Sequence, residues 1–417
     1  MDTRRSFLKK TGVITGGAAF MQAWPGILQK ALAIDPAPGS TFYDAEHIVF
    51  LMQENRSFDH AFGTLKGVRG FNDPRAVTLP DQHKVWLQTN ANGDTYAPFR
   101  LDIKNTKITW MGSLPHGWDD QVDARNNGLY NKWLDAKDPG GDFKGMPLTM
   151  GYYTRADIPF YYALADAFTV CDHNFCSSLT GTTPNRLHYW SGTIRPEMKA
   201  AAKAHVWNSD ADYGAWITWK TYPERLEENG ISWKVYQNEI YGDTGLGEAQ
   251  PWLDNFGDNP LEYFTQYHVR LTPEYITQIP AKIKLLQQQI SGLEDKISGE
   301  KAGSEKEKED WTSELGYRKK QLEEAQWELV NCTREKFEAL PQQEKNIHAK
   351  AFANNRADKD YHQLSTLKYK DGSEHREIDI PKGDVLHQFR EDVKNGTLPT
   401  VSWLVAPERF SDHPSAP

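Results

Sequence analysis

Cysteine is scarce. Three of 417 residues, Cys171, Cys176 and Cys332, are too few for a disulfide framework, and their spacing matches no zinc motif. Cys171 and Cys176 are near enough in sequence to pair, but they are expected as two buried thiols. An excess of positive charge is also lacking. Lys and Arg number 48 against 57 Asp and Glu, a formal net charge of −9. That excludes the broad basic face a nucleic-acid partner would need. Long apolar runs are missing too. The one stretch near the N-terminus that approaches a membrane span is interrupted by Gly16, Gly17, Gln22, Pro25 and Gln29.

Aromatic residues, by contrast, are plentiful, with 14 Trp and 18 Tyr. Such rings suit a large core, a carbohydrate site or a pocket for a cation. The N-terminus carries Arg4-Arg5-Ser6-Phe7-Leu8-Lys9, a weakly apolar stretch, and then Ala31-Leu32-Ala33. This is the pattern of a twin-arginine export signal over residues 1–33 with an A-x-A cleavage site. An amphipathic helix is the alternative for the same residues. The signal predicts a periplasmic or secreted protein whose mature part begins at residue 34.

Further along, short apolar runs alternate with helical patterns. "EHIVFLMQ" ends a buried strand, and "ISWKVYQN" (231–238) and "TVSWLVAP" (400–407) read as two more. Residues 116–137 have helical spacing, "PFYYALADAFTVCDHNF" reads as a helix followed by a short strand, and "TPNRLHYWSGT" opens a helix with proline in its first turn. This alternation predicts an α/β fold with ligands at the strand ends. From 281 to 330, Ile283, Leu286, Ile290, Leu293 and Ile297, then Trp311, Leu315, Leu322, Ala325 and Leu329, keep a heptad-like rhythm. They predict an antiparallel coiled-coil hairpin inserted at about 275–350. A helix pair packed on the main body fits the same pattern.

Four polar stretches stand where chemistry could occur. Glu54 and Asn55 follow the first strand, and offer hard oxygen donors of the kind divalent ions take. Alone, they also suit a solvated strand end. "SSLTGTTPNRLHYWSG" (177–192) combines hydroxyls, glycine and a helix start, an arrangement for an anion, with Arg186 as a second contact. An ordinary threonine cap fits there as well. His116 in "LPHGWDDQ" could donate a proton to a leaving oxygen, or be merely structural. The last stretch is Ser411-Asp412-His413-Pro414.

In order, "HIVFLMQENRSFDHAFGT", "HGWDDQ", "SSLTGTTPNRLHYWSGT", "ISWKVYQ", "DNPLEYF" and "PTVSWLVAPERFSDHP" resemble the bacterial phospholipase C and acid phosphatase family of phosphoesterases. Within it they look most like the phosphocholine-specific phospholipases C. The resemblance implies a fold similar to alkaline phosphatase, a central sheet flanked by helices. It implies Glu54 and Asn55 at a metal and phosphate site, with a divalent ion of undetermined identity also held by Thr182. It implies Thr182 as the nucleophile, forming a covalent phospho-threonine. The family often has one more residue between the glycine and Pro-Asn-Arg, so Thr183 is the alternative. His116 and His413 are the implied catalytic histidines, and Asn55 and Arg186 the implied phosphate contacts. The implied substrate is a phospholipid with a choline head group, met transiently at a membrane surface, with no nucleic-acid partner. A phosphomonoesterase is the alternative enzyme, and an inactive interaction module the alternative class. The family's later Asp-Glu-Asn-Asp-Gly run does not occur before residue 417. The expectation is that the C-terminal part of the fold, a sheet strand and some metal ligands are missing, and that the chain by itself is inactive.

Overall fold

The computed structural model describes residues 25–34, 37–106, 113–242, 244–299, 305–371 and 373–414. The Arg4-Arg5 stretch of the expected export signal lies outside them. Ala31 to Ala33 close a short helix, Gly26–Ala33. Among the described residues, no helix is long and apolar enough to cross a membrane.

The chain folds into two compact units. Residues 47–53 and 186–411 make one, and residues 54–185, with the segments before 47 and after 411, make the other.

The first of these contains a three-stranded parallel sheet. Its strands are Ile48–Leu51, Trp233–Gln237 and Val401–Val405, and the last in sequence is central. Val401 stands opposite both Ile48 and Trp233. Parallel strands in the middle of a sheet are covered on both faces, so they read as continuous apolar runs. Val401, Trp403 and Val405 are accordingly buried, and so are Trp233 and Val235. The Trp403 ring stacks on Trp190 with centroids 4.8 Å apart, and Phe50 lies on it at 5.7 Å. Helices Tyr222–Glu228 and Gln342–Ala351 pack on the Trp233–Gln237 strand. The Ile48–Leu51 strand is an edge, and its Ile48 and Leu51 side chains are 45% and 54% exposed.

Two long helices, Pro273–Ser298 and Glu305–Asn331, pack on each other in this unit. Lys282 pairs with Glu328 at 3.2 Å and Lys319 with Glu294 at 2.7 Å, so the two run antiparallel. The base of the pair is part of the main core, where Tyr275, Ile279 and Cys332 are buried beside Tyr267 and Ile347. A β-hairpin, Leu364–Asp371 with Glu374–Pro381, was not foreseen. Its signals are in the sequence: Gly372-Ser373 between two alternating runs.

The other unit has little regular structure. Among its described residues, the longest helix that lies wholly within it is Pro159–Ala167, and its strands are two residues long. The helical spacing of 116–137 breaks into Trp118–Arg125 and Trp133–Ala136. The break falls at Asn126-Asn127-Gly128, where φ is 43°, 55° and 92°. Asn and Gly tolerate this left-handed region and end the helix there. No strand follows the Pro159–Ala167 helix. Cys171 and Cys176 are exposed free thiols, not buried ones, because they lie on that irregular segment; Cys332 alone is buried.

Candidate active site

The candidate residues of the loop-built unit meet at Glu54, three positions past the end of the Ile48–Leu51 strand. Thr182 is the first residue of helix Thr182–Ser191, after Gly181. Its hydroxyl donates to Glu54 Oε1 at 2.7 Å. His413 Nε2 lies 3.1 Å from the same oxygen. Two residues, each more than a hundred positions away, thus converge on one Glu54 oxygen.

Each is held by neighbours. Asn185, one turn into the helix, reaches back with its side-chain amide. Nδ2 donates to the carbonyls of Gly181 and Ser178 at 3.0 and 3.2 Å, and Oδ1 accepts from the Ser178 N–H at 3.1 Å. This pins residues 178–181 so that Thr182 opens the helix toward Glu54. A helix start presents N–H groups and a positive dipole end, the setting an anionic phosphoryl group prefers.

His413 is held through Arg56 and Asp412. Arg56 Nε donates to the Asp412 carbonyl at 2.9 Å, and a terminal nitrogen reaches the His413 carbonyl at 3.4 Å. Asp412 has φ of 66°, a left-handed conformation uncommon outside glycine and asparagine. The Tyr161 hydroxyl donates to its carboxylate at 2.8 Å and helps hold it there. His60 supports Arg56 from the other side, with Nδ1 donating to the Gly151 carbonyl at 2.8 Å and Nε2 3.3 Å from the guanidinium. Burial and the Arg56 charge push His60 down to about 4, so it is neutral near pH 7 and can accept from Arg56.

Asn55 faces a different partner. Its Nδ2 lies 3.1 Å from His116 Nε2. His116 Nδ1 is 2.6 Å from the Leu114 carbonyl, which can only accept. The proton therefore sits on Nδ1, and Nε2 receives the Asn55 amide. The loop bearing His116 is fixed by Asp120, which accepts the Gly117 N–H at 2.7 Å, and by Lys137, which donates to the Pro115 carbonyl at 2.9 Å.

Arg186 opens the long segment of the other unit. In the sheet-bearing unit its guanidinium pairs with the Asp258 carboxylate at 2.8 Å and donates to the Asp258 carbonyl at 2.8 Å, and both residues are buried. Arg56, Tyr161 and Asn185 were not foreseen as site supports. Arg56 and Tyr161 act on Asp412, far away in sequence, which spacing cannot reveal, whereas Asn185 acts on residues 178–181 of its own motif.

A model of the Phosphoesterase family matches residues 45–300 and 334–417. The chain belongs to the phosphoesterase family. The gap in the match, 301–333, covers the second of the two long helices. Among curated proteins, the chain is 35% identical to the non-hemolytic phospholipase C of Burkholderia pseudomallei, over all of this chain and 45% of that protein. It is 42% identical to the non-hemolytic phospholipase C of Pseudomonas aeruginosa, over 64% of this chain and 36% of that protein. It is 40% identical to phospholipase C B of Mycobacterium tuberculosis, over 58% of this chain and 47% of that protein. The chain therefore spans less than half the length of these relatives.

Proposed function

We propose that the protein is an exported phospholipase C that hydrolyses the phosphodiester of choline phospholipids through a phospho-threonine intermediate on Thr182. The observation that carries this reading is the Thr182 hydroxyl donating to Glu54 at the start of a helix, with His413 on the same oxygen. The phospholipase C names of its relatives support the reaction class.

Glu54, Thr182 and His413 offer carboxylate, hydroxyl and imidazole atoms within reach of one another, a donor set that fits a divalent ion. When bound, such an ion supplies the positive charge that favours a deprotonated threonine and the phosphoryl oxygens. The chain's own groups do the rest. Glu54 already holds the Thr182 proton. Attack of Thr182 Oγ1 on phosphorus forms the Thr–O–P bond, and the bond to the diacylglycerol oxygen breaks. That oxygen needs a proton, which His116 would give from Nε2 in its imidazolium form, with Nδ1 anchored on Leu114 and the Asn55 amide turned from Nε2 to the phosphoryl group. Water then cleaves the phospho-threonine, its proton going to His116, and phosphocholine leaves. The helix N-terminus and the Asn55 amide steady the charge on the phosphoryl oxygens.

The test of the nucleophile compares Thr182→Ala with Thr183→Ala on p-nitrophenyl phosphorylcholine. Loss in the first and near-normal turnover in the second is expected; the reverse moves the role to Thr183. Export is tested by replacing Arg4 and Arg5 with lysine. The protein should then stay in the cytoplasm, and unchanged secretion would refute the twin-arginine route.

A further inference from the structure

A cavity of about 240 Å³ opens beside Asn55 and His116. Its lining includes two cationic side chains, Arg56 and Lys137, with Trp133 and Tyr153, and no aspartate or glutamate. Lys137 is only 6% exposed. Its ammonium donates to two neutral acceptors, the Pro115 carbonyl at 2.9 Å and Gln121 Oε1 at 3.1 Å. Among the described residues no carboxylate pairs with it; Asp119 and Asp120 act on it only at longer range. Burial disfavours its charged form and lowers its pKa. A buried cation with neutral partners gains most from an anion that enters from the cavity side, since Coulomb attraction is strong where water is excluded. Pinning Pro115 would not require a charge, because a neutral donor serves a carbonyl equally well.

We infer that this cavity is an oxyanion subsite, in which Lys137 and Arg56 receive a phosphate or carboxylate group of the ligand. It rests on the phospholipase reading only for the ligand's identity. A choline cation has no place there, since it would meet two positive side chains and no negative one. The anion has two sources in a phospholipid: the phosphodiester itself, or a carboxylate on an acidic head group.

The experiment uses the whole chain and reads binding, not turnover. Titration calorimetry with inorganic phosphate, phosphocholine and O-phosphoserine is run on wild type and Lys137→Met. In parallel, acylation of Lys137 in the wild type is followed by peptide mass spectrometry with and without each ligand, so the test survives if Lys137→Met fails to fold. A bound ligand should shield the Lys137 amine. Affinity should fall roughly tenfold or more in Lys137→Met, the loss expected when a charge-assisted hydrogen bond is removed. An equal fall for all three ligands assigns the cavity to the phosphoryl group. A fall confined to O-phosphoserine assigns it to the head-group carboxylate. Unchanged affinity, or acylation that no ligand slows, overturns the proposal. Full turnover in Thr182→Ala would defeat the nucleophile reading without touching this one, because that variant should still shield Lys137.

Discussion

The unit of residues 47–53 and 186–411 is held by rings and aliphatic side chains. Trp190, Trp233, Phe264, Tyr267, Leu261 and Val235 are at most 1% exposed and share one cluster with Trp403. Among the described residues of the unit built around 54–185, the buried apolar cluster consists of Leu28, Ala163 and Ala167. Its order comes instead from side chains reaching backbone: Asn185 to 178–181, Arg56 to 412–413, His60 to 151, Lys137 to 115. Apolar burial is non-directional and sets stability, whereas polar bonds fix positions to within an ångström. The difference is that of a frame and a mounting. It says that changes in the loop-built unit should act on chemistry, and changes in the sheet-bearing unit on stability.

The sharpest way to break this contrast is at Thr182. Thr182→Ala should lower turnover by about 10⁴-fold or more, as loss of a nucleophile does elsewhere, while the melting temperature stays near wild type. A large drop in melting temperature would show that Thr182 is part of the frame. Next is Arg186. As a phosphate contact, its loss would act on the Michaelis constant. Its buried pair with Asp258 argues for stability instead. Arg186→Met should destabilise the protein by roughly 3–5 kcal/mol, because Asp258 would stay buried without its partner. Denaturant unfolding checks this, and a variant with normal stability but weakened substrate binding would return Arg186 to the site.

The two units should also answer pH in opposite senses. In the sheet-bearing unit, burial pushes Glu262 up to about 7 and Asp254 up to about 8. Carboxyls raised in the folded state contribute stability at low pH, and lose it as pH rises through those values. In the loop-built unit, hydrogen bonds from Arg100 and Thr154 hold Asp157 well below its ordinary value. Its contribution is present above the unfolded value and fades as pH falls below about 4. Melting curves across pH should therefore decline on both sides. Glu262→Gln should flatten the alkaline side alone and Asp157→Asn the acid side alone. Identical profiles for both variants and wild type would contradict the assignment. The smallest effect is expected at the far end of the long helix pair. Removing the turns beyond Ile290 and Lys320 leaves Tyr275, Ile279 and Glu328 in place, so stability and turnover should barely change. A collapse of turnover would show that the tip shapes the site.

Much of the frame was legible before any coordinates. Parallel strands show as apolar runs, and all three were found, at 48–51, 233–237 and 401–405, but the first, expected to be buried, is a largely exposed edge. Glu54, Thr182 and His413 were legible because each sits in a short polar stretch beside a strand or helix start. What stayed hidden follows from how side chains travel. Arg186 lies in the same motif as Thr182, yet four residues on a helix carry it to a buried partner 72 positions away. Arg56 and Asp412 were inside the stretches that drew notice. Their roles, one bonding the other's carbonyl, are written in three dimensions only. The Leu364–Pro381 hairpin was missed although Gly372-Ser373 stands between its two runs in the sequence, since attention to apolar runs passes over exposed alternating strands.

The central claim is that chemistry runs through the Thr182 oxygen. The most direct measurement is acid quenching of the protein during turnover of a choline phosphodiester, followed by peptide mass spectrometry. The account predicts a phosphorylcholine group on Thr182, absent in Thr182→Ala and accumulating in His116→Ala if His116 activates the water that cleaves it. A modified Thr183, or steady turnover with no modified residue at all, would contradict it.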